Sequence, residues 1–376
     1  MKRQIETNHR IKASIILIVV LSFLIGCENK EDIIVGFSGC LTGRLSSLGI
    51  AGRNGVLLAI DQINKAQGIN GHKVKLIIKD DQHDPKTALK VDQELIESGA
   101  IAVIGHMTSS MSLIVTPLFN KEHRVLLSPT STTNDLTGKD DFFLRTALPD
   151  IGQTNHLANF VITELNIKRM IGIFDRTNQS FTEGWIQNFA TAYRKSGGKL
   201  RTIISFASTD KTDYLTLSKR LLKDNPGAVA IVAGPLETAL LSQHLKRLSP
   251  GLQLLSSGWA KTADLIENGG PAVEGIILPQ SHNSNSKQPE FLEFKKQYTE
   301  FYGKPPNFAA TGSYDATRML FQALKKTTNP SLLKNTILNI RNFKGVQGNI
   351  RLDTYGDAIR KTFLVTVRNG QFLTLE

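Results

Sequence analysis

The chain has 376 residues, 40% of them hydrophobic, and a formal net charge of +12. That length and apolar content suffice for a sizeable core divided over two domains. The positive charge is scattered as single residues such as Lys195, Lys199 and Arg201, with no basic block interleaved with aromatics, so no nucleic-acid partner is expected.

The N-terminus carries Lys2, Arg3, Arg10 and Lys12, then an apolar run from Ala13 to Ile25. A basic stretch followed by a short apolar run is the pattern of a secretory signal. The run is shorter than the roughly 20 residues a helix needs to span a bilayer. It ends in Leu24-Ile25-Gly26-Cys27, which resembles the lipobox of bacterial lipoproteins. The resemblance implies cleavage before Cys27 and lipidation of its thiol, so that acyl chains hold the protein to the membrane. A plain cleaved signal or an uncleaved anchor is the alternative. Residues 1–26 are thus expected to be a signal peptide and 27–32 a lipid-anchored tether. Glu28, not Asp, follows the cysteine, so the common inner-membrane retention signal is missing. Cys40 is then the only cysteine left. It cannot form an internal disulfide and is read as a packed side chain.

Beyond the tether, apolar runs and helical stripes alternate. Ile33–Phe37 reads as a buried strand. Val56, Leu57, Ile60 and Ile63 form a helical stripe, Lys73–Lys79 alternates as a strand, and Ala88, Val91, Leu95 and Ile96 mark a second helix. Ile101–Ile104 and Val125–Leu127 are further strands flanking a helix near Ser112–Lys121. The rhythm restarts after Pro149 with strands at Met170–Phe174, Thr202–Phe206, Val229–Val232 and Leu252–Ser256, each preceded by a helix. Gln280–Pro289 is polar and loop-like, helices follow at 290–302 and 310–326, and the tail from Asn342 is strand-rich. This alternation predicts an α/β fold of two Rossmann-like lobes, each a parallel sheet flanked by helices. Lobe 1 is expected over 33–149 with 281–348, and lobe 2 over 150–280 with 349–376.

Enzyme signatures are missing. No G-x-G-x-x-G follows the first strand, and there is no P-loop, nucleophile elbow or H-E-x-x-H. Neither a cofactor nor a metal is expected. His106 follows a strand and is read as a structural or cleft-lining histidine rather than a general base.

Two hydroxyl clusters stand at equivalent places. Thr108-Ser109-Ser110 follows strand Ile101–Ile104 at a helix start, and Thr130-Ser131-Thr132-Thr133 follows strand Val125–Leu127. Ligands of open parallel sheets bind beyond the carboxyl ends of strands. A helix N-terminus there offers free N–H groups to a carboxylate.

Several segments resemble the leucine/isoleucine/valine-binding proteins, type I periplasmic solute-binding proteins of ABC importers. They include Gly39-Cys40-Leu41-Thr42-Gly43, Ala59–Asn64, Gly68–Gly71 and Asp80–Pro85. Further along come Val103–His106, Ser128-Pro129, Arg145-Thr146, Gly258–Ala260, Ala272–Gly275 and Tyr314–Ala316. The resemblance spans the mature chain and implies two lobes joined by crossover hinge strands. It also implies a small-molecule ligand (an amino acid or other carboxylate), an ABC permease as partner, an exported location and a monomer. It assigns the ligand's carboxylate to Ser109 and Thr132, a backbone carbonyl of Thr130 to the ligand's ammonium, and Phe181 to closure from the second lobe; Thr108 and Ser131 of the hydroxyl clusters are further ligand-binding candidates. A sensory module of the same fold, signalling to a membrane receptor, is the alternative.

Departures bear on the ligand. Leu48 replaces an aromatic residue on the first-lobe loop, and Gly258, next to Trp259, stands where the relatives' acid pairs with an ammonium. Glu237 or Asp264 is a substitute acid, or the ligand has no α-amine. His83 and Thr108 occupy the positions of the family's disulfide.

Overall fold

The computed structural model describes residues 30–209 and 211–375. The signal peptide, Cys27 and the first tether residues lie outside the described residues. In the first lobe, β1 (Ile33–Gly39), β2 (Val74–Asp80), β3 (Ala102–Ile104), β4 (Val125–Ser128) and β5 (Phe143–Arg145) make a sheet in the order β2-β1-β3-β4-β5. All its pairings are parallel. Helices α1 (Ser46–Lys65), α2 (Pro85–Glu97) and α3 (Ser109–Lys121) connect β1 to β4. Asp84 starts α2 by accepting from the Thr87 N–H, with Pro85 in the first turn, where a missing donor costs nothing.

The second lobe repeats the winding. Here α4 (Asp150–Thr163), β6 (Arg169–Asp175), α5 (Gln179–Lys195), β7 (Lys199–Phe206), α6 (Tyr214–Leu222) and β8 (Ala228–Val232) are followed by α7 (Pro235–Leu248), β9 (Gln253–Ser256), α8 (Ala263–Gly269) and β10 (Ile277–Gln280). The parallel order is β7-β6-β8-β9-β10. Central β8, Ala-Val-Ala-Ile-Val, is buried at every position, as a strand covered on both faces must be. Edge strand β7 is buried only at Phe206.

After β10 the chain returns to the first lobe for α9 (Pro289–Tyr302), α10 (Phe308–Leu324) and α11 (Pro330–Leu338). A three-stranded antiparallel sheet follows: β11 (Phe343–Gly345), β12 (Gly348–Leu352) and β13 (Ala358–Ile359). Helix α10 packs directly on α1 because Gly55 has no side chain; a Cβ there would stand 2.2 Å from the Ala310 carbonyl oxygen. The chain then re-enters the second lobe, where β14 (Phe363–Arg368) and β15 (Gln371–Thr374) extend the sheet antiparallel to β10.

The architecture is therefore α/β with two parallel-sheet lobes. One boundary differs from the sequence division. Ile350, Leu352 and Ala358 pack in the first lobe's core with Phe37, Val56 and Leu320, so 349–359 belongs there and not with the second lobe. The burial of these three apolar side chains holds the segment. Three crossovers join the lobes, at 146–149, 281–288 and 360–362.

Candidate functional site

The carboxyl ends of both sheets face each other across a cleft that is partly open to solvent. Each wall comes from a segment that leaves a strand end. Met107, Thr108 and Ser109 follow β3; Pro129, Thr130 and Thr132 follow β4; Ala147 and Leu148 lie on the first crossover. From the second lobe come Asn178, Phe181 and Trp185 after β6, Gly258 and Trp259 after β9, and Gln280 at the end of β10. Leu48 of α1, Gln153 of α4, Ser281 and His282 of the second crossover, Phe308, Thr311 and Gly312 of α10, and Arg360 of the third crossover complete the lining.

Ser109 opens α3, and its Oγ accepts from the N–H groups of Thr132 (3.2 Å) and Thr133 (3.3 Å). Both lone pairs are used, so the hydroxyl proton is left to donate into the cavity. This pair of bonds is what draws the two hydroxyl clusters together. Thr130 lines the cavity, but its hydroxyl donates to the Met107 carbonyl at 2.7 Å. The Thr108 hydroxyl is engaged by His83. His83 Nε2 donates to the Thr177 carbonyl at 2.8 Å, which leaves Nδ1 bare to accept from Thr108 Oγ1 at 3.3 Å.

Phe181 and Trp259 meet edge to face at 5.7 Å between centroids and form an aromatic wall on the second lobe. Leu48 faces the cavity from the first lobe.

Two expected site residues are not in the lining. The fully buried Ser131 turns its hydroxyl to Ser112 (2.7 Å), and its carbonyl accepts from Arg145; it braces the loop instead of facing the cleft. Glu237, in the first turn of α7, is claimed by Arg44 at 2.7 Å. That guanidinium reaches it from the loop after β1, so the carboxylate bridges the lobes and is no partner for a ligand ammonium. Asp264 is absent from the lining too.

His106 is structural. It is completely buried, with Nδ1 2.6 Å from Asp81 and Nε2 2.7 Å from Asp92. Burial alone would lower its pKa, but the two carboxylates overcome that and hold it up at about 10. Cys40 is buried, and desolvation pushes its thiol far above the usual range.

The hinge wall was missed by sequence reasoning. Burial pushes Lys261 down to about 8. Its Nζ lies 3.5 Å from His282 Nδ1. An ammonium has no lone pair, so Nδ1 accepts and Nε2–H donates to Thr311 Oγ1 at 3.1 Å. Thr311 passes its own proton to the Asn307 carbonyl at 2.9 Å. Burial, then Lys261 and Arg360, keep His282 neutral, well below its ordinary pKa. Burial also lowers Arg360, with Asp315 opposing. The available signal was the polar break at Gln280–Pro289, which marks a crossover; nothing local marks Arg360.

Two facing Rossmann-like lobes, three crossovers and a cavity at opposed strand ends define a two-lobed solute-binding protein. The chain belongs to the periplasmic binding protein family, whose pattern it matches over residues 32–371. This is a family of binding proteins and not of enzymes. It is 25% identical over 342 residues to the leucine-, isoleucine-, valine-, threonine- and alanine-binding protein of Pseudomonas aeruginosa, covering 90% of this chain and 89% of that one. It is 23% identical to the Leu/Ile/Val-binding protein of Escherichia coli, covering 87% and 88%. The crystal structure of a leucine-binding protein from Thermotoga maritima superposes with a TM-score of 0.84 at 26% identity, covering 92% of this chain and 98% of that one. The solute-binding protein of an ABC transporter from R. palustris, solved with benzoate, shares the fold at a TM-score of 0.83 and 17% identity, with coverage of 92% and 95%.

Proposed function

We propose that this protein is the extracytoplasmic solute-binding component of an ABC importer. It captures a small carboxylate-bearing solute between its lobes and presents the closed form to a permease, while lipid on Cys27 keeps it at the membrane. The observation that carries this reading is the junction of Ser109 with Thr132. The free hydroxyl proton of Ser109 and the start of α3 meet Thr132 at the cavity surface, an arrangement suited to a carboxylate. The relatives named for leucine and its neighbours support an importer role.

The lining favours a solute without an ammonium. Among the described residues no Asp or Glu faces the cavity. An ammonium buried there would lack a counter-charge, at a cost of several kcal/mol. The benzoate complex from R. palustris is an instance of the same fold holding a carboxylate that has no amine. Closure around the solute supplies the coupling, because only the closed form joins both lobe surfaces.

Titration calorimetry of the full chain in detergent against carboxylates and amino acids tests the reading. The Ser109→Ala/Thr132→Ala double variant is expected to lose roughly 10- to 100-fold in affinity for the best ligand. Unchanged affinity in that variant would refute the assignment of the carboxylate to this junction.

A further inference from the structure

The hinge wall of the cavity holds more positive charge than the protein balances. Arg360 lines the cavity, and Lys261 stands behind His282, within hydrogen-bond reach of its ring and carbonyl. Among the described residues neither cation forms an ion pair. The acid that influences Arg360 is Asp315, at longer range, and Asp315 is itself shared with Arg318 at 3.8 Å and with the Val346 N–H. A half-buried guanidinium that faces a cavity without a carboxylate partner is suited to a planar anion, which it binds bidentately.

The wall is also distinct from the Ser109–Thr132 junction. The two are built from different segments, and α10 touches both sides: Gly312 packs on the Pro129 carbonyl of the first-lobe loop, and Thr311 bonds His282. Gly312 allows that contact because a Cβ would come within 2.9 Å of the Pro129 oxygen. One cavity therefore has a hydroxyl-and-helix anion subsite on the first lobe and a cationic subsite on the hinge.

From this arrangement we infer that the solute is a dicarboxylate, with one carboxylate at Ser109 and Thr132 and the second on the Arg360 guanidinium. The inference rests on the carboxylate-capture reading above and narrows its ligand class. Arg360 sets specificity, and Lys261 reinforces it through His282. The aromatic wall of Phe181 and Trp259 packs against the carbon skeleton between the two charges.

The test is calorimetry on the full chain in detergent with succinate, glutarate, adipate and terephthalate. Each is paired with the monocarboxylate of matching skeleton: butyrate, valerate, hexanoate and p-toluate; leucine is added for comparison. At least one dicarboxylate is expected to bind roughly 10- to 100-fold more tightly than its partner, the worth of one buried charge-assisted pair. Arg360→Gln should bring that ratio close to one, and Arg360→Lys should keep part of it. The inference is overturned if no dicarboxylate exceeds its partner, or if the ratio survives in a folded Arg360→Gln protein. The parent ratios decide even if the variant fails to fold. Leucine binding above all anions sinks the dicarboxylate and leaves the importer reading standing. A dicarboxylate that needs Arg360 but ignores Ser109→Ala/Thr132→Ala does the reverse: it supports the Arg360 subsite and removes the first one.

Discussion

Asp150 stands directly behind the candidate carboxylate site, its N–H bonded to the Thr132 carbonyl at 3.1 Å. Its side chain is buried, and neither carboxyl oxygen has a partner in good hydrogen-bond geometry. Burial raises its pKa to about 8; the Thr132 hydroxyl and Arg145 pull the other way and do not win. Burial thus favours the neutral form of this acid in the folded protein, which suits the proposed anion site. An acid whose folded pKa exceeds its unfolded value binds its proton more tightly when folded. Its stabilising effect is complete below the ordinary value of 3.8 and is lost as pH rises toward 8. Asp150→Asn should therefore stabilise the protein by about 1–2 kcal/mol at pH 8 and change little at pH 4. Urea unfolding at the two pH values checks this, and equal effects at both would contradict it. At this scale the loops that carry Ser109 and Thr132 were legible because each comes after a strand end, and both residues line the cavity. Ser131 and Glu237 looked equivalent in sequence, but one buried hydroxyl partner and one guanidinium take them out of the cleft.

At the scale of elements, the lobes are locked where loops meet helix starts. Arg44, after β1, pairs with Glu237 in the first turn of α7, and Asn178 accepts from the N–H and hydroxyl of Ser110. His83 reaches across to the Thr177 carbonyl. The Arg44 side chain is 35% exposed and that of Glu237 only 5%, so separating the lobes rehydrates the acid. Replacing the arginine strands a buried carboxylate in the closed form alone. Arg44→Met should weaken solute binding by about fivefold, and Arg44→Met/Glu237→Met should recover most of the loss. Calorimetry of the single and double variants reads the coupling directly, and additive losses would mean that the pair does not favour closure. The long elements were legible from their periods: α1, α2 and α5 carry clear stripes, and β8 is wholly apolar. The short strands β5 and β10, of three and four residues, were not. β5 follows Asp141 and ends on Arg145, and β10 carries Pro279, so neither stands out as a strand by itself, and their partners β4, β9 and β14 define them.

On the scale of the whole molecule, the proposed function joins lipid on Cys27 to solute capture in the cleft. Cys27→Ser is expected to move the protein from the detergent phase to the aqueous phase in phase-partition assays and to abolish labelling by radioactive palmitate. Retention in the detergent phase would place the membrane attachment elsewhere. The sequence by itself determined the α/β class, the two lobes and the hydroxyl clusters, because hydrophobic period and strand-end position are local properties of a chain. Only the tertiary structure decided the return of 349–359 to the first lobe, since apolar burial against distant Phe37 and Leu320 settles it. It alone decided the hinge wall as well. His282 on the second crossover, Arg360 on the third and Thr311 on α10 reach one wall of the cleft from distant parts of the chain, with Lys261 behind His282.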